Sequence, residues 1–299
     1  MDVSDWEKQG LQALDEGKYP AAEEAFRSAL HIDPEHIEAL LGLGAASAYQ
    51  ENYVEAEAAY RQATTLNPES SDAWATLGLF LDDQYRYVEA EKAYQEMVRI
   101  DPQDPTAWYN LGLSRFEQEN YAGAEESYLE AIRLDDEDTE FWCDLGLARV
   151  KLGKFAEAET AYRKAIFVGP LNPAAWHNLA NLLGDQQRSN EAELAYLEAI
   201  RLDPENTDLN VHRWDNIGVG RFENKDFSGA EIASLESLRL DPDNTHALFN
   251  LGVALSNQGR LAEARDAYQD LVEIDPSNPA AWDTFGRTLG TWETLSNVS

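Results

Sequence analysis

Apolar residues along this chain fall three and four positions apart, the spacing of one face of an α-helix, and the whole pattern returns every 34 residues. One block recurs as WATLGLFL (74–81), WYNLGLSR (108–115), WCDLGLAR (142–149) and WHNLANLL (176–183). Looser copies stand at 6–13, 40–47, 214–221, 248–255 and 282–289. A second helical block, of the type AEKAYQEMVRIDP (90–102), follows each of the first eight. Gly- or Asn-containing turns such as EQENYAGA (117–124) separate the two. In most copies the second block ends at Asp-Pro. Proline has no N–H to donate and disfavours helix in the residue before it, so the helix stops there. Polar residues suited to capping, Ser71, Asp72 and Thr106 among them, then open the next helix.

This Trp-Leu-Gly…Ala-aromatic-Ala-Pro pattern resembles the tetratricopeptide repeat family over nearly the whole chain. The resemblance implies an all-α fold, a right-handed α-solenoid superhelix of stacked antiparallel helix pairs. Full repeats fall at 3–36, 37–70, 71–104, 105–138, 139–172, 173–206, 211–244 and 245–278, with a lone first helix from 279. The expected organisation is 1–206 for repeats one to six, then 207–299 for repeats seven and eight plus the terminal single helix. One superhelix would run through both, with a kink near 207. Two irregularities motivate that kink. TDLN (207–210) is an insertion of about one helical turn, able to extend the first helix of repeat seven backwards. Ser234 and Ser237 stand where other copies mostly carry an aromatic and a small residue. Asp136 in place of the terminal proline, and Ala180 in place of the glycine, are changes the repeat should absorb.

Side chains three and four apart share a helix face, so WYNLGLSRF (108–116) carries two stripes. Trp108, Leu111, Gly112 and Arg115 form the near-constant packing stripe. On it, Arg115, Arg149 and Arg221 are expected to pack their stems between helices and reach carboxylates with their heads. Tyr109, Leu113 and Phe116, flanked by Asn110, form the varying stripe, which the family resemblance assigns to the concave groove. The Leu113 series (Leu11, Ala45, Leu79, Leu113, Leu147, Asn181, Val219, Val253) is either an exposed binding strip or the buried seam between first helices. Asn110 recurs as Asn178, Asn216 and Asn250. An amide both donates and accepts, so such a row can hold the backbone of an extended peptide. The row is similar to the asparagine ladder of protein O-GlcNAc transferases, interrupted here by Lys8, Gly42, Thr76, Asp144 and Thr284. The candidate groove residues are thus Tyr109, Asn110, Phe116, Asp144, His177, Asn178, Asn181, Asn216, Phe222, Phe249 and Asn250.

Charge narrows the partner. Asp and Glu number 56 against 23 Lys and Arg, a net charge of −33. Such a surface repels nucleic acid and anionic membrane and tolerates neutral or basic ligands. Sixteen of the 23 bases are arginine, so salt adaptation is the competing explanation of the acidity. Chaperone-binding relatives clamp a C-terminal carboxylate with Lys, Arg and Asn, but the matching slots here lack the basic set. A neutral or basic extended segment fits better.

The sequence offers little reactive chemistry. His177, His212 and His246 fall on groove slots without the close in-helix spacing of a zinc site. Cys143, the single cysteine, has no base supplied to it and fits a reducing compartment. No phosphate-cradling glycine loop, apolar signal core or membrane-length apolar run occurs. The reading is a cytoplasmic, non-enzymatic adaptor without cofactor or metal, binding an extended or helical segment of another protein in its concave groove, either monomeric or weakly self-associating through its ends. One rival is a docking module of a larger enzyme or effector, since the repeats stop half-way through a ninth copy with WETLSN (292–297) as a thin end piece. The other is a scaffold assembling through its solenoid ends.

Overall fold

Each 34-residue copy folds as two helices joined by a three-residue turn, and helices α1 to α16 follow one another without strands among the described residues. The structure is a computed structural model that describes residues 1–277, 279, 282–284 and 286. The lone helix expected from 279 therefore falls largely outside the described residues, and WETLSN entirely so.

Two compact units divide the chain, Met1–Leu152 and Gly153–Ser299. The first holds α1 (Val3–Asp15), α2 (Tyr19–Ile32), α3 (Ile37–Tyr49), α4 (Tyr53–Leu66), α5 (Ser71–Asp83), α6 (Tyr87–Ile100), α7 (Pro105–Glu117), α8 (Tyr121–Leu134) and α9 (Thr139–Lys151). The second holds α10 (Phe155–Val168), α11 (Pro173–Asp185), α12 (Ser189–Leu202), α13 (Thr207–Glu223), α14 (Phe227–Leu240), α15 (Thr245–Asn257) and α16 (Leu261–Ile274). Within each unit consecutive helices pack on one another, as an all-α solenoid requires. Residue 207 lies inside the second unit, where the insertion lengthens α13 to 17 residues against 13 for α11 and α15.

Helix starts are set one or two residues earlier than the sequence suggests. Ser70, not Ser71 or Asp72, accepts the Ala73 N–H, and Asp104, not Thr106, caps α7. Helix ends are set by a left-handed residue eleven places after the tryptophan slot, occupied by Gly17, Gly153 and Gly259 but also by Glu51, Tyr85, Glu119, Gln187 and Lys225. In that conformation the N–H groups of Tyr85 and Arg86 turn back to the carbonyls of Asp82 and Leu81 at 2.8 and 2.9 Å, satisfying acceptors the helix leaves open.

The glycine of the packing stripe fixes the distance between paired helices. A Cβ built on Gly78, Gly112 or Gly252 would stand 2.5 Å from a ring carbon of Tyr94, Tyr128 or Tyr268 on the following helix. Those rings are fully buried. Repeat seven lacks the ring, and a Cβ on Gly218 would meet nothing closer than 3.6 Å.

The tryptophans tie each first helix to the end of the preceding second helix. The indole N–H of Trp74, Trp108 and Trp176 donates to the carbonyls of Pro68, Pro102 and Pro170 at 2.9, 3.1 and 3.0 Å. Trp142 does the same to Asp136 at 2.9 Å. The acceptor is backbone, which is why aspartate replaces proline there without loss. In repeat seven, Asn210 stands six residues after Pro204 and takes the indole's place, donating to the Asp203 and Pro204 carbonyls at 2.9 and 3.3 Å.

An ion pair also links neighbouring repeats, built in one of two ways. Arg115, Arg149 and Arg221 reach back to Glu91, Glu125 and Glu193 on the preceding second helix, at 2.9, 3.0 and 2.6 Å, as expected for the packing-stripe arginines. Where that slot holds Leu81, Leu183 or Leu255, the arginine moves five residues on. Arg86, Arg188 and Arg260 then take the equivalent glutamates Glu57, Glu159 and Glu231 at 2.6, 2.7 and 2.6 Å. Against the upward push of burial, the Arg86 guanidinium first and the Arg61 one second hold the Glu57 carboxyl down at about 2. Among the described residues every arginine but Arg213 pairs with a carboxylate.

The two kinds of glycine give a direct test by urea denaturation. Gly112→Ala should lose about 1–3 kcal/mol, because overpacking against Tyr128 exceeds the gain in helix propensity. Gly218→Ala should gain up to about 1 kcal/mol. Equal effects at both sites would mean that the ring contact does not set the helix separation.

Candidate functional site

In the first unit the varying stripe is partly closed on itself. Tyr109 donates its hydroxyl to Asp144 Oδ2 at 2.7 Å, and its ring lies 4.7 Å from that of Phe141. Burial raises the Asp144 carboxyl and, with the nearby Asp144 charge, the Tyr109 hydroxyl above their ordinary ranges. These two residues join α7 to α9 and satisfy each other. Phe116 rests edge-on against Tyr121, 5.1 Å away. Asn110 is half-buried and makes no side-chain hydrogen bond among the described residues. The Leu113 series is not a buried seam at Leu79, which is 54% exposed, nor at Leu11. Cys143 is buried, and desolvation followed by the Asp144, Glu140 and Asp138 charges pushes its thiol up to about 12.

One further carboxylate is unusual. Asp82 accepts the Tyr94 hydroxyl at 2.7 Å on Oδ2, while its buried Oδ1 has no partner among the described residues. Desolvation, reinforced by Asp83 and Glu117, pushes it up to about 6.

In the second unit α11, α12, α13 and α15 frame two adjoining concavities of ≈ 420 and ≈ 500 Å³ that share Asn181, Asn216 and Val219. A chain of polar contacts runs between them. His177 Nε2 lies 3.0 Å from the Asn181 amide nitrogen, the Tyr196 hydroxyl donates to Asn181 Oδ1 at 2.7 Å, and Asn216 donates to the Tyr196 oxygen at 3.0 Å. The larger concavity brings together His177, His212, His246 and Asn250 beside Asp215. Asn178 does not line it. Asn178 and Asn250 are half-buried without side-chain partners among the described residues. Phe222 leans on Phe227 at 5.5 Å and remains 37% exposed, whereas Phe249 packs toward Tyr268 as part of the core wall. Among the described residues no group of three His, Cys, Asp or Glu side chains is arranged to hold a metal ion.

Beneath the larger concavity lies a feature that slot-by-slot reading missed. Arg213 is 1% exposed and has no carboxylate in ion-pair range among the described residues; Asn210 Oδ1 accepts from it at 2.7 Å, with longer contacts of 3.5 Å to the Ala199 carbonyl and His177 Nδ1. Burial, then the Arg213 and His212 charges, depress His177 to about 4, so its imidazole is neutral at pH 7. The one signal of this node was the insertion, which supplies Asn210 and has no counterpart in other repeats.

A repeat scaffold whose first helices present polar and aromatic side chains over a fixed core defines the class. Residues 1–101 match the model of the Cilia and flagella-associated protein 70 middle TPR-like domain. Residues 105–138 match one tetratricopeptide repeat model, and residues 143–207 and 220–279 another. The chain belongs to the tetratricopeptide repeat family. No curated protein matches its sequence. Among solved structures, the APC/C hetero-tetramer Cut9-Hcn1 is similar at a TM-score of 0.54 and 18% identity, over 91% of this chain and 52% of that one. The chain thus spans about half the length of that relative. MamA is similar at 0.52 and 20% identity over 56% of this chain and 97% of that one. MamA from Desulfovibrio magneticus RS-1 gives 0.51 and 22%, over 56% and 94%. At these identities the likeness establishes the fold. No helix among the described residues is long and apolar enough to cross a membrane.

Asp82 gives the first unit a definite pH response. Its carboxyl sits at about 6, above the ordinary 3.8, so its contribution to folding is full below about pH 4 and lost as pH rises through about 6. Relative to the parent, Asp82→Asn should gain about 2 kcal/mol in urea-unfolding stability between pH 4 and pH 7. A pH-independent difference would show that Asp82 titrates as an ordinary surface acid.

Proposed function

We propose that the chain is a non-enzymatic scaffold whose first-helix face holds an extended neutral or basic segment of another protein. The observation that carries this reading is the row of amides at one helix register. Asn110 in the first unit, and Asn178 and Asn250 in the second, are half-exposed and leave donors and acceptors free among the described residues. Nothing in the packing requires an amide at these positions. Asn181 and Asn216 differ, because their hydrogen bonds through Tyr196 shape the concavity itself. Phe222, with exposed ring area beside that row, offers an apolar anchor.

Electrostatics favours the same ligand. Arginines bridge repeats and leave few cations over the face, while Asp83, Glu117, Asp185 and Glu223 stand exposed on first-helix slots. This field draws in basic chains and repels acidic ones.

The test is a peptide array of extended basic and neutral sequences, followed by affinity measurement on the strongest binder. Asn178→Ala/Asn250→Ala should weaken it about tenfold without shifting the thermal midpoint, two lost hydrogen bonds being worth about 1–2 kcal/mol. Unchanged affinity in this double variant removes the amide row from recognition.

A further inference from the structure

Two aromatic residues of the first unit break the repeat pattern: Phe80 is buried in the core, and Tyr49, largely exposed, stacks one ring face on Tyr19 at 4.6 Å. Tyr49 occupies a slot that is polar or charged in every other copy, and Phe80 one that elsewhere holds Ala, Ser, Thr, Gly, Gln or Leu. Although 31 residues apart, they meet at one concavity of ≈ 540 Å³ between α3, α4 and α5. Tyr53 and Tyr60 complete its aromatic walls, their rings 6.4 and 5.3 Å from that of Phe80.

Thr76 at this concavity donates to the Asp72 carbonyl at 2.8 Å, but the Tyr60 hydroxyl and the Asp83 carboxylate have no protein partner among the described residues. Tyr60 is only 4% exposed and its hydroxyl, like that of Tyr128, has no protein partner among the described residues, whereas those of Tyr94 and Tyr196 are bonded to Asp82 and Asn181. At the rim Asp83 is exposed and makes no ion pair among the described residues. Aromatic faces carry negative quadrupole potential, so rings, a free carboxylate and a hydroxyl oxygen together suit a flat cation. An anion would face the Asp83 charge, and an apolar side chain would leave Asp83 and the Tyr60 hydroxyl without partners. The register-equivalent concavity of the second unit serves as an internal comparison. It has Asp185, Ser189 and Gly220 where the first has Tyr49, Tyr53 and Phe80, and so lacks the ring walls.

We propose that the Tyr49–Tyr53–Phe80 concavity is the receptor for an arginine side chain of the bound segment, its guanidinium stacked on the tyrosine rings and paired with Asp83. A planar guanidinium stacks on rings and forks onto a carboxylate, which an ammonium does less well. This rests on the reading of the first-helix face as a segment-binding surface, and names one residue type that surface selects.

The probes are a short fluorescent peptide of arginines spaced by glycine and serine, and its citrulline counterpart of equal shape, titrated at physiological salt. The citrulline peptide should bind at least about tenfold more weakly. Tyr49→Leu and Asp83→Asn, both at exposed positions, should each weaken the arginine peptide about five- to tenfold. Glu126→Gln, an exposed carboxyl on the second helix α8 and outside the first-helix face, should change it less than about twofold. Equal binding of the two peptides, failure of the parent to bind the arginine peptide, or parental affinity in both Tyr49→Leu and Asp83→Asn overturns the proposal. If those two variants bind normally while Asn178→Ala/Asn250→Ala weakens binding, the segment-binding reading stands and the arginine receptor falls. The reverse pattern keeps the receptor and removes the amide row.

Discussion

The close approach of two helices at one glycine governs the rest of this fold. Where a tyrosine ring lies over Gly78, Gly112 or Gly252, no room remains for even a methyl group, and the paired helices are held at a fixed separation. Because packed interiors tolerate little change in volume, that separation is transmitted from repeat to repeat. It determines where each tryptophan finds its carbonyl and where the varying stripe of each first helix stands. Side-chain chemistry can then change from copy to copy, as Tyr49 and Asp185 show at one slot, without disturbing the scaffold.

The scaffold was legible in the sequence because it repeats. Trp108, Leu111 and Gly112 recur at one period, and a period held over eight copies leaves little choice of architecture. The packing-stripe arginines were legible too, since a buried guanidinium needs an acceptor and each preceding second helix carries a glutamate. The caps at Ser70 and Asp104 were misplaced by one or two residues, because several neighbouring polar residues are equally able to cap.

The site was less legible, for a physical reason. A slot says which face a side chain starts from, but not whether a neighbour already occupies its hydrogen-bonding groups. Tyr109 and Asp144 look like groove residues in the sequence and close on each other in the structure. Asn178 and Asn250 stay open, whereas Asn216, in the same row, is drawn to Tyr196. The pair Asn210 and Arg213 lay in the one stretch with no sibling to compare, so periodicity could not assign it a face.

The inter-repeat ion pair has a direction. In both of these partly buried arrangements the carboxylate belongs to the earlier repeat and the arginine to the later one, while the more exposed pairs Arg27–Glu55, Arg61–Glu89 and Arg163–Glu191 run the other way. Detaching a later repeat strands a partly buried glutamate in its predecessor, whereas detaching an earlier one frees an arginine whose long stem can swing its head into water. The partly buried pairs therefore have one polarity along the run of repeats. Each repeat completes the one before it, and peeling the stack from its two sides carries different energetic costs.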